Sequence, residues 1–160
     1  CTANGFAADA IVFTTSSGGT HAGLIAGLKT AQARNQKQNQ IIKSPQIVGI
    51  GVAKGVALNT AHVSDLANET LALLGESARA NQADVIIDAN YMGSDYAVAT
   101  QAAADATAWA AHRGAWVLDP VYSAKGFSGL LGRDANGEWS AQQNVVFIHT
   151  GGLPSLFVTH

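Results

Sequence analysis

The sequence predicts an α/β fold with three layers, built on a mainly parallel sheet of about four strands. Short continuous apolar runs alternate along the chain with segments whose apolar residues recur every three or four positions. An apolar run with no polar alternation is typical of a strand covered by helices on both faces of a parallel sheet. We expect residues 1–160 to form one α/β domain, because 160 residues can build one substantial core.

The order of elements follows from these two patterns. The predicted strands cover residues 10–15, 46–53, 84–91 and 144–150. The predicted helices cover residues 22–31 and 101–112 and a segment within 59–80 whose helical pattern Gly75 closes, followed by a helix that starts near Tyr122 and runs through Leu131. Residues 32–40 are polar and indicate a helix running out into a surface loop. In the second strand, Gly49 and Gly51 indicate close approach of neighbouring atoms.

The composition limits the possible partners. Charged residues make up 12% of the chain, against an average of about 25%, and the net charge is −2 without a basic cluster. This pattern argues against nucleic acid or an anionic membrane as a partner. No apolar stretch approaches the about 20 residues of a membrane span, and no charged leader precedes an apolar segment. We therefore expect a soluble, cytoplasmic protein. The low charge indicates either a core-rich subdomain or a large surface that packs on a partner.

Neither the single cysteine nor the pair His62 and Asp65 indicates a catalytic or metal site. Cys1 is the single cysteine, which excludes an internal disulfide, and its position at the start of the sequence argues against a nucleophile. The missing initiator Met suggests a trimmed chain or one that begins inside a longer protein. His62 and Asp65 lie three residues apart on a predicted helix, but without a third metal ligand in range they indicate a solvated face.

The segment with the clearest chemical character is residues 16–23, which read Ser-Ser-Gly-Gly-Thr-His-Ala-Gly between a strand and a helix. Glycines let a ligand approach the backbone, hydroxyls add donors, and the first N–H groups of a helix favour an anion such as phosphate. Such a turn can also serve only to pack a helix on a sheet. Tyr122, Ser123 and Thr150 follow other elements at the same predicted edge of the sheet, which favours a ligand site there.

Three segments resemble one enzyme family. They read Ser-Ser-Gly-Gly-Thr-His-Ala-Gly-Leu at 16–24, Leu-Asp-Pro-Val-Tyr-Ser-Ala-Lys-Gly at 118–126 and Phe-Ile-His-Thr-Gly-Gly-Leu-Pro-Ser-Leu-Phe at 147–157. In this order they resemble D-cysteine desulfhydrase and 1-aminocyclopropane-1-carboxylate deaminase. The resemblance implies pyridoxal phosphate as cofactor, a small amino acid as substrate and part of the large domain of a tryptophan-synthase-β-like fold.

The resemblance also implies roles for individual residues. The cofactor-binding residues would be Ser17, Gly18, Gly19, Thr20, Ser123, Thr150 and Gly151. The first four match the loop that holds the cofactor phosphate, and Thr150 matches a hydroxyl that bonds the pyridine nitrogen. Tyr122 matches an active-site tyrosine, whose phenolate a nearby positive charge would favour as a proton acceptor.

The chain departs from this family at several positions. Deaminases carry a Glu directly after the tyrosine, where this chain has Ser123, which favours desulfhydrase-like α,β-elimination. Arg113 stands where the family usually has Glu, and Ala124 replaces the family's glycine. The chain corresponds to the C-terminal half of the family, and the half that bears the Schiff-base lysine has no counterpart. None of the five lysines lies in the family's lysine context: Lys29, Lys37, Lys43, Lys54 and Lys125.

Three hypotheses follow for the function. The chain is one piece of a complete lyase or deaminase, inactive alone and completed by a lysine-bearing N-terminal chain. Alternatively, it is a truncated paralogue that serves as a self-associating interaction module without catalysis. The third hypothesis is an unrelated α/β domain, with residues 147–154 disordered and no ligand at the glycine turn.

Overall fold

A computed structural model describes residues 5–39 and 43–157 of the chain, so that Cys1 and Gln40 lie outside the described residues. This part of the chain contains four strands: β1 (Ala10–Thr15), β2 (Gln46–Gly51), β3 (Ile86–Asp88) and β4 (Val145–Ile148). They form one sheet in the order β3-β2-β1-β4, and every neighbouring pair is parallel. The predicted four-stranded parallel sheet is confirmed.

The described residues form four α-helices: α1 (Gly19–Lys37), α2 (Thr60–Leu73), α3 (Gln101–Gly114) and α4 (Ser123–Ala135). Short 3-10 helices cover Gly55–Leu58, Gln82–Asp84 and Leu153–Phe157. Within residues 5–39 and 43–157, none of the helices combines the length and the hydropathy that crossing a membrane requires.

The side chains of β1 alternate between two apolar layers. Phe13 packs in one core cluster with Ile25 of α1 and Val63 of α2. Val12 lies in another cluster with Val48 and Leu130, the latter from α4. Successive side chains of a strand point to opposite faces of the sheet. Helices α1 and α2 therefore cover one face and α4 the other, with α3 packed on α4, which gives the expected three layers.

Gly49 lets the end of β1 and the start of α1 lie directly on β2. A Cβ atom at Gly49 would lie 2.8 Å from Thr15 Cγ2 and 2.9 Å from His21 Nδ1. Both distances are below normal van der Waals contact, so a side chain here would push the strand–helix turn away from the sheet. The close approach expected from the sequence is present, and it fixes the position of the turn that follows β1.

The third strand is shorter than the predicted range 84–91. The Asn81 side chain accepts a hydrogen bond from the Ala83 N–H, and Asp84 accepts one from the Asn81 N–H, which holds Gln82–Asp84 in a 3-10 turn. At the other end, Asp88 Oδ1 accepts a hydrogen bond from the Asn90 N–H (3.0 Å) and turns the chain away from the sheet.

The ends of α1 and α2 compare differently with their predictions. Helix α2 ends at Leu73, and Gly75 closes it as predicted, because Gly75 adopts a left-handed φ of +69°. The N–H groups of Gly75 and Glu76 then bond back to helix carbonyls, which closes the last turn. Helix α1, in contrast, extends to Lys37, through residues predicted to leave the helix.

Candidate functional site

The turn between β1 and α1 presents backbone donors that the helix itself cannot use. Gly18 precedes the helix with a left-handed φ of +89°, and no side chain caps the helix. The first helical hydrogen bond runs from the Ala22 N–H to the Gly18 carbonyl (2.8 Å), so the N–H groups of Gly19, Thr20 and His21 have no partner inside the helix. No acidic residue occupies the first turn, which leaves this end of α1 favourable to an anion.

A cavity of about 250 Å³ lies at the carboxyl ends of β1 and β4. Its lining consists of Thr14, Thr15, Ser16, Ser17, Gly18, Gly19, Thr20, Tyr122, Thr150, Gly151 and Gly152. Seven of the eight residues assigned to the site from the sequence are in this lining, and Ser123 is the exception. The structure thus brings together residues that lie more than 130 positions apart in the sequence; their chemical roles stay predictions.

Tyr122 lies directly before α4, at the point where α4 meets the end of β1. Its carbonyl accepts a hydrogen bond from Thr14 Oγ1 (3.1 Å). A Cβ at Gly126 would collide with Thr14 Oγ1, which shows how closely α4 approaches β1. The Tyr122 hydroxyl shares a hydrogen bond with the hydroxyl of Tyr96, and the ring centroids are 6.0 Å apart.

The surroundings of Tyr122 favour its protonated form. The hydrogen bond with Tyr96 raises the pKa of Tyr122, and burial and the negative charge of Asp119 act in the same direction. In the described structure the Tyr122 hydroxyl therefore keeps its proton. The expected phenolate depends on a positive charge near the substrate and Schiff base, so this role of Tyr122 stays a prediction.

Ser123 lies next to the cavity lining, but its side chain points elsewhere. Its hydroxyl donates a hydrogen bond to Asp119 Oδ1 (2.6 Å) and accepts one from the Asp119 N–H (2.7 Å). Both residues are buried. The Ser123 hydroxyl therefore already has partners within the protein.

The segment after β4 supplies the other wall of the cavity. Gly151 and Gly152 adopt φ values of +116° and +105°, which only glycine adopts without strain. A Cβ at Gly151 would meet no atom within 4 Å. The backbone conformation, and not a lack of space, therefore requires glycine there, and the backbone stays open to the cavity. His149 holds the segment in place, because its Nε2 bonds the Val117 carbonyl (3.0 Å) and its Nδ1 accepts from the Gly151 N–H (3.2 Å).

None of the five lysines is among the residues that line this cavity. Lys29, Lys43 and Lys54 form ion pairs with aspartates, and Lys37 is exposed at the end of α1. Lys125 is fully buried, and its Nζ donates to the carbonyl of Met92 (2.7 Å). Burial lowers the pKa of Lys125. Its amine is thus already used to hold the loop that carries Tyr96.

Several residues of the site were not predicted from the sequence. Thr14 and Thr15 line the cavity, while Tyr96 and Asp119 contact Tyr122. For Asp119 a local signal exists, since an aspartate before proline commonly bonds N–H groups two or three residues later. For Tyr96 no local signal exists, because its contact spans 26 residues. Among the described residues there is no group of three or more potential metal ligands around His62 and Asp65 or elsewhere.

The chain is similar in sequence to known enzymes. Residues 3–151 match the model of the family "Pyridoxal-phosphate dependent enzyme". Among curated relatives, 1-aminocyclopropane-1-carboxylate deaminase from Ralstonia pickettii (strain 12J) is 29% identical, and the alignment covers 95% of this chain and 42% of that protein. The deaminase from Methylobacterium nodulans is 31% identical with the same coverage. D-cysteine desulfhydrase from Salmonella paratyphi C is 30% identical over 94% of this chain and 42% of its own length.

A crystal structure of an ACC deaminase homologue has the same fold, with a TM-score of 0.74 and 30% identity. The match covers 93% of this chain and 41% of that one. The chain therefore spans about two fifths of the length of the relatives that it matches. This match excludes the hypothesis of an unrelated α/β domain.

The cavity fits the phosphate group that the family's cofactor carries. The start of α1 offers N–H groups without helical partners, and the hydroxyls of Ser17 and Thr20 belong to the same lining. The lining contains no Asp or Glu among its described residues, so no carboxylate opposes an anion there. The fold, the cavity and the family match agree: this chain belongs to the pyridoxal-phosphate dependent enzymes.

Proposed function

We propose that this chain provides the phosphate-binding wall of a pyridoxal-phosphate site, in a lyase or deaminase that acts on a small amino acid. The observation that carries the proposal is the juxtaposition of the uncapped start of α1 with Tyr122 and Thr150 in one cavity. The relatives named above are a deaminase and a desulfhydrase, which supports this reaction class. A cytoplasmic location is part of the proposal and can be checked by cell fractionation.

The chain's own residues would act as follows. The N–H groups at the start of α1 and the hydroxyls of Ser17 and Thr20 hold the phosphate. The Thr150 hydroxyl would help to hold the cofactor ring, and Tyr122 would hold a proton on its phenolic oxygen near the substrate. The bound cofactor supplies an electron sink for the substrate carbanion.

Within this class, we favour D-cysteine desulfhydrase-like α,β-elimination. The residue after Tyr122 is Ser123, whose hydroxyl bonds the buried Asp119. It therefore offers no carboxylate to keep the cofactor ring protonated, as cyclopropane ring opening would need. Tyr122 keeps its proton and can therefore donate a hydrogen bond to a departing thiolate without giving the proton up.

We also propose that the chain is catalytically inactive alone, because no lysine is among the described residues that line the cavity. The isolated chain with D-cysteine and pyridoxal phosphate should release neither sulfide nor pyruvate. Its absorbance spectrum should show no band at about 410–420 nm that persists through desalting, since such a band reports a lysine imine. Sulfide release above the rate of free cofactor, or a persistent band, would refute inactivity.

Phosphate binding can be tested independently of activity. Calorimetric titration with pyridoxal phosphate and with inorganic phosphate should show binding, and the double variant Ser17→Ala, Thr20→Ala should bind both about tenfold more weakly. Thr107→Ala is the matched control, because it removes a hydroxyl from α3 that bonds only a helix carbonyl. Equal affinity of the double variant and the control would contradict the proposed phosphate site.

The second candidate function is a self-associating interaction module, and an apolar groove beside β4 favours it. The groove has a volume of about 710 Å³ and includes Trp109, Trp116, Phe127, Phe147 and Leu153 in its lining. Trp116 is 52% exposed, and β4 forms an edge of the described sheet. An exposed apolar surface at a strand edge favours association with a second copy or with a lysine-bearing partner chain.

Sedimentation over a range of protein concentrations tests this candidate. Self-association should raise the mass above 16.4 kDa, and Trp116→Asp should restore the monomer. Trp139→Phe is the control, because Trp139 is buried in another core cluster. A mass of 16.4 kDa at every concentration would exclude self-association.

A further inference from the structure

Asp119 carries a fully buried carboxylate that does not line the cavity. Its Oδ1 accepts hydrogen bonds from the Ser123 N–H (2.8 Å) and hydroxyl (2.6 Å). Its Oδ2 accepts from the N–H groups of Val121 (2.9 Å) and Tyr122 (2.8 Å) and from the Ser155 hydroxyl (2.9 Å). A buried charge is tolerated only when donors surround it, and these five donors meet that requirement.

The five donors belong to two separate segments of the chain. Residues 121–123 form the start of α4 and bring Tyr122 to the cavity, whereas Ser155 belongs to Leu153–Phe157, which directly follows Thr150, Gly151 and Gly152. The contact between Asp119 and Ser155 spans 36 residues. A Cβ at Gly152 would collide with Asp119 Oδ1, so the loop backbone rests directly on the carboxylate.

The carboxylate also determines which helix end remains available to an anion. Both α1 and α4 begin at the cavity, but the N–H groups of Tyr122 and Ser123 at the start of α4 already bond the Asp119 carboxylate, and that of Ala124 bonds the Asp119 carbonyl. Burial raises the pKa of Asp119, yet the hydrogen bonds from Ser123, Tyr122 and Ser155 outweigh this effect and lower the pKa below its ordinary value. Because the carboxylate stays ionised, it neutralises the start of α4 and leaves α1 as the anion-accepting end.

We propose that Asp119 is a positioning residue for this site: its carboxylate joins the turn that carries Tyr122 to the loop that carries Thr150–Gly152, and so fixes two walls of the cavity. The ligand-related part of this inference rests on the proposed function. The joining of the two segments does not, and it can be measured without any ligand.

The Ser155 hydroxyl is the best point at which to break this link. Asp119→Asn places an amide NH₂ opposite backbone donors and should lower the melting temperature strongly. Ser155→Ala removes the bond between the segments, together with the contact of the same hydroxyl with the Gly152 carbonyl (2.9 Å), and leaves the four donors at the start of α4 in place. Ser155→Thr keeps the hydroxyl and serves as the conservative control.

Hydrogen exchange provides the readout without a ligand. In Ser155→Ala the backbone amides of residues 151–157 should exchange about tenfold faster than in the wild-type chain, while those of β1 and β2 keep their rates. Ser155→Thr should restore the wild-type rates. Unchanged exchange at residues 151–157 in Ser155→Ala, or equal acceleration throughout the sheet, would overturn the proposal.

Ligand titration gives the second readout. Pyridoxal phosphate is large enough to touch both walls, whereas inorganic phosphate needs only the start of α1. Ser155→Ala should bind pyridoxal phosphate about tenfold more weakly and inorganic phosphate as well as the wild type, with rescue in Ser155→Thr. Equal affinities for pyridoxal phosphate in the wild type and Ser155→Ala, or a parallel loss for both ligands, would contradict the positioning role.

If the wild-type chain binds neither ligand, the proposed function fails. In that case the exchange rates alone decide whether Asp119 joins the two segments.

Discussion

Acidification is expected to destabilise this chain through His21, a histidine in the first turn of α1. Its side chain is fully buried and packs edge-on against Phe13, with ring centroids 5.0 Å apart. Neither ring nitrogen has a hydrogen-bond partner among the described residues. Burial without a partner disfavours the charged imidazolium and lowers the pKa of His21 from 6.5 to about 4.

The sign and size of the effect follow from this pKa. Below pH 6.5 the unfolded chain takes up a proton on His21, while the folded chain takes it up only near pH 4. The stabilisation is therefore present above pH 6.5 and is lost as the pH falls. With about 1.4 kcal/mol for each unit of pKa difference, the free energy of unfolding should decrease by about 2 kcal/mol at pH 5 and about 3 kcal/mol at pH 4.

Urea unfolding between pH 7.5 and pH 4.5, followed by circular dichroism, measures this loss. The wild type should be compared with His21→Leu, which keeps an apolar contact with Phe13 and cannot take up a proton. Asp9, Asp84 and Asp119 also have lowered pKa values, but they contribute equally to both proteins. The wild type should lose about 2 kcal/mol more than His21→Leu between pH 7.5 and pH 5. Equal losses in the two proteins would refute the reasoning.

Three further substitutions test how the site is held, with urea unfolding as the common measurement. Gly49→Ala should cost about 1–3 kcal/mol, because its Cβ would lie 2.8 Å from Thr15 Cγ2. Gly18→Ala should cost about 1–2 kcal/mol, because a side chain is strained at a φ of +89°, and it should also weaken phosphate binding in a calorimetric titration. Arg133→Met should cost about 3–5 kcal/mol, because it leaves the buried carboxylate of Asp88, now 2.8 Å from the guanidinium, without its charged partner. A loss below about 0.5 kcal/mol in any of these variants would contradict the corresponding packing or pairing argument.

The parallel sheet and most of the cavity could be predicted because their determinants are local. The run that ends at Thr15 forms a strand by its own composition, and parallel strands place their carboxyl ends at one edge. This rule alone brings Thr150 to the same cavity as Gly18, although no local pattern relates them.

The missed features depend on contacts between distant residues. Lys29 forms an ion pair with Asp84 across 55 residues and helps to hold the turn that shortens β3. The hydroxyl of Ser155 reaches Asp119 across 36 residues. Side chains of this kind look like ordinary surface residues in a sequence, and only the packed chain shows which carboxylate each one meets.

The pairing of β1 with β4 has a consequence for the way in which the chain folds. Ala10 pairs with Val145 and Phe13 with Ile148, so these contacts close a loop of about 135 residues, the longest of the strand pairings described here. Strands β1 and β2 can pair as soon as residue 51 is available, whereas β4 becomes available only after residue 148. Because contacts of large sequence separation form slowly, we expect β4 to dock late. The phosphate turn can then exist before the wall at Thr150 does, and a ligand that spans both walls would bind only to the completed fold.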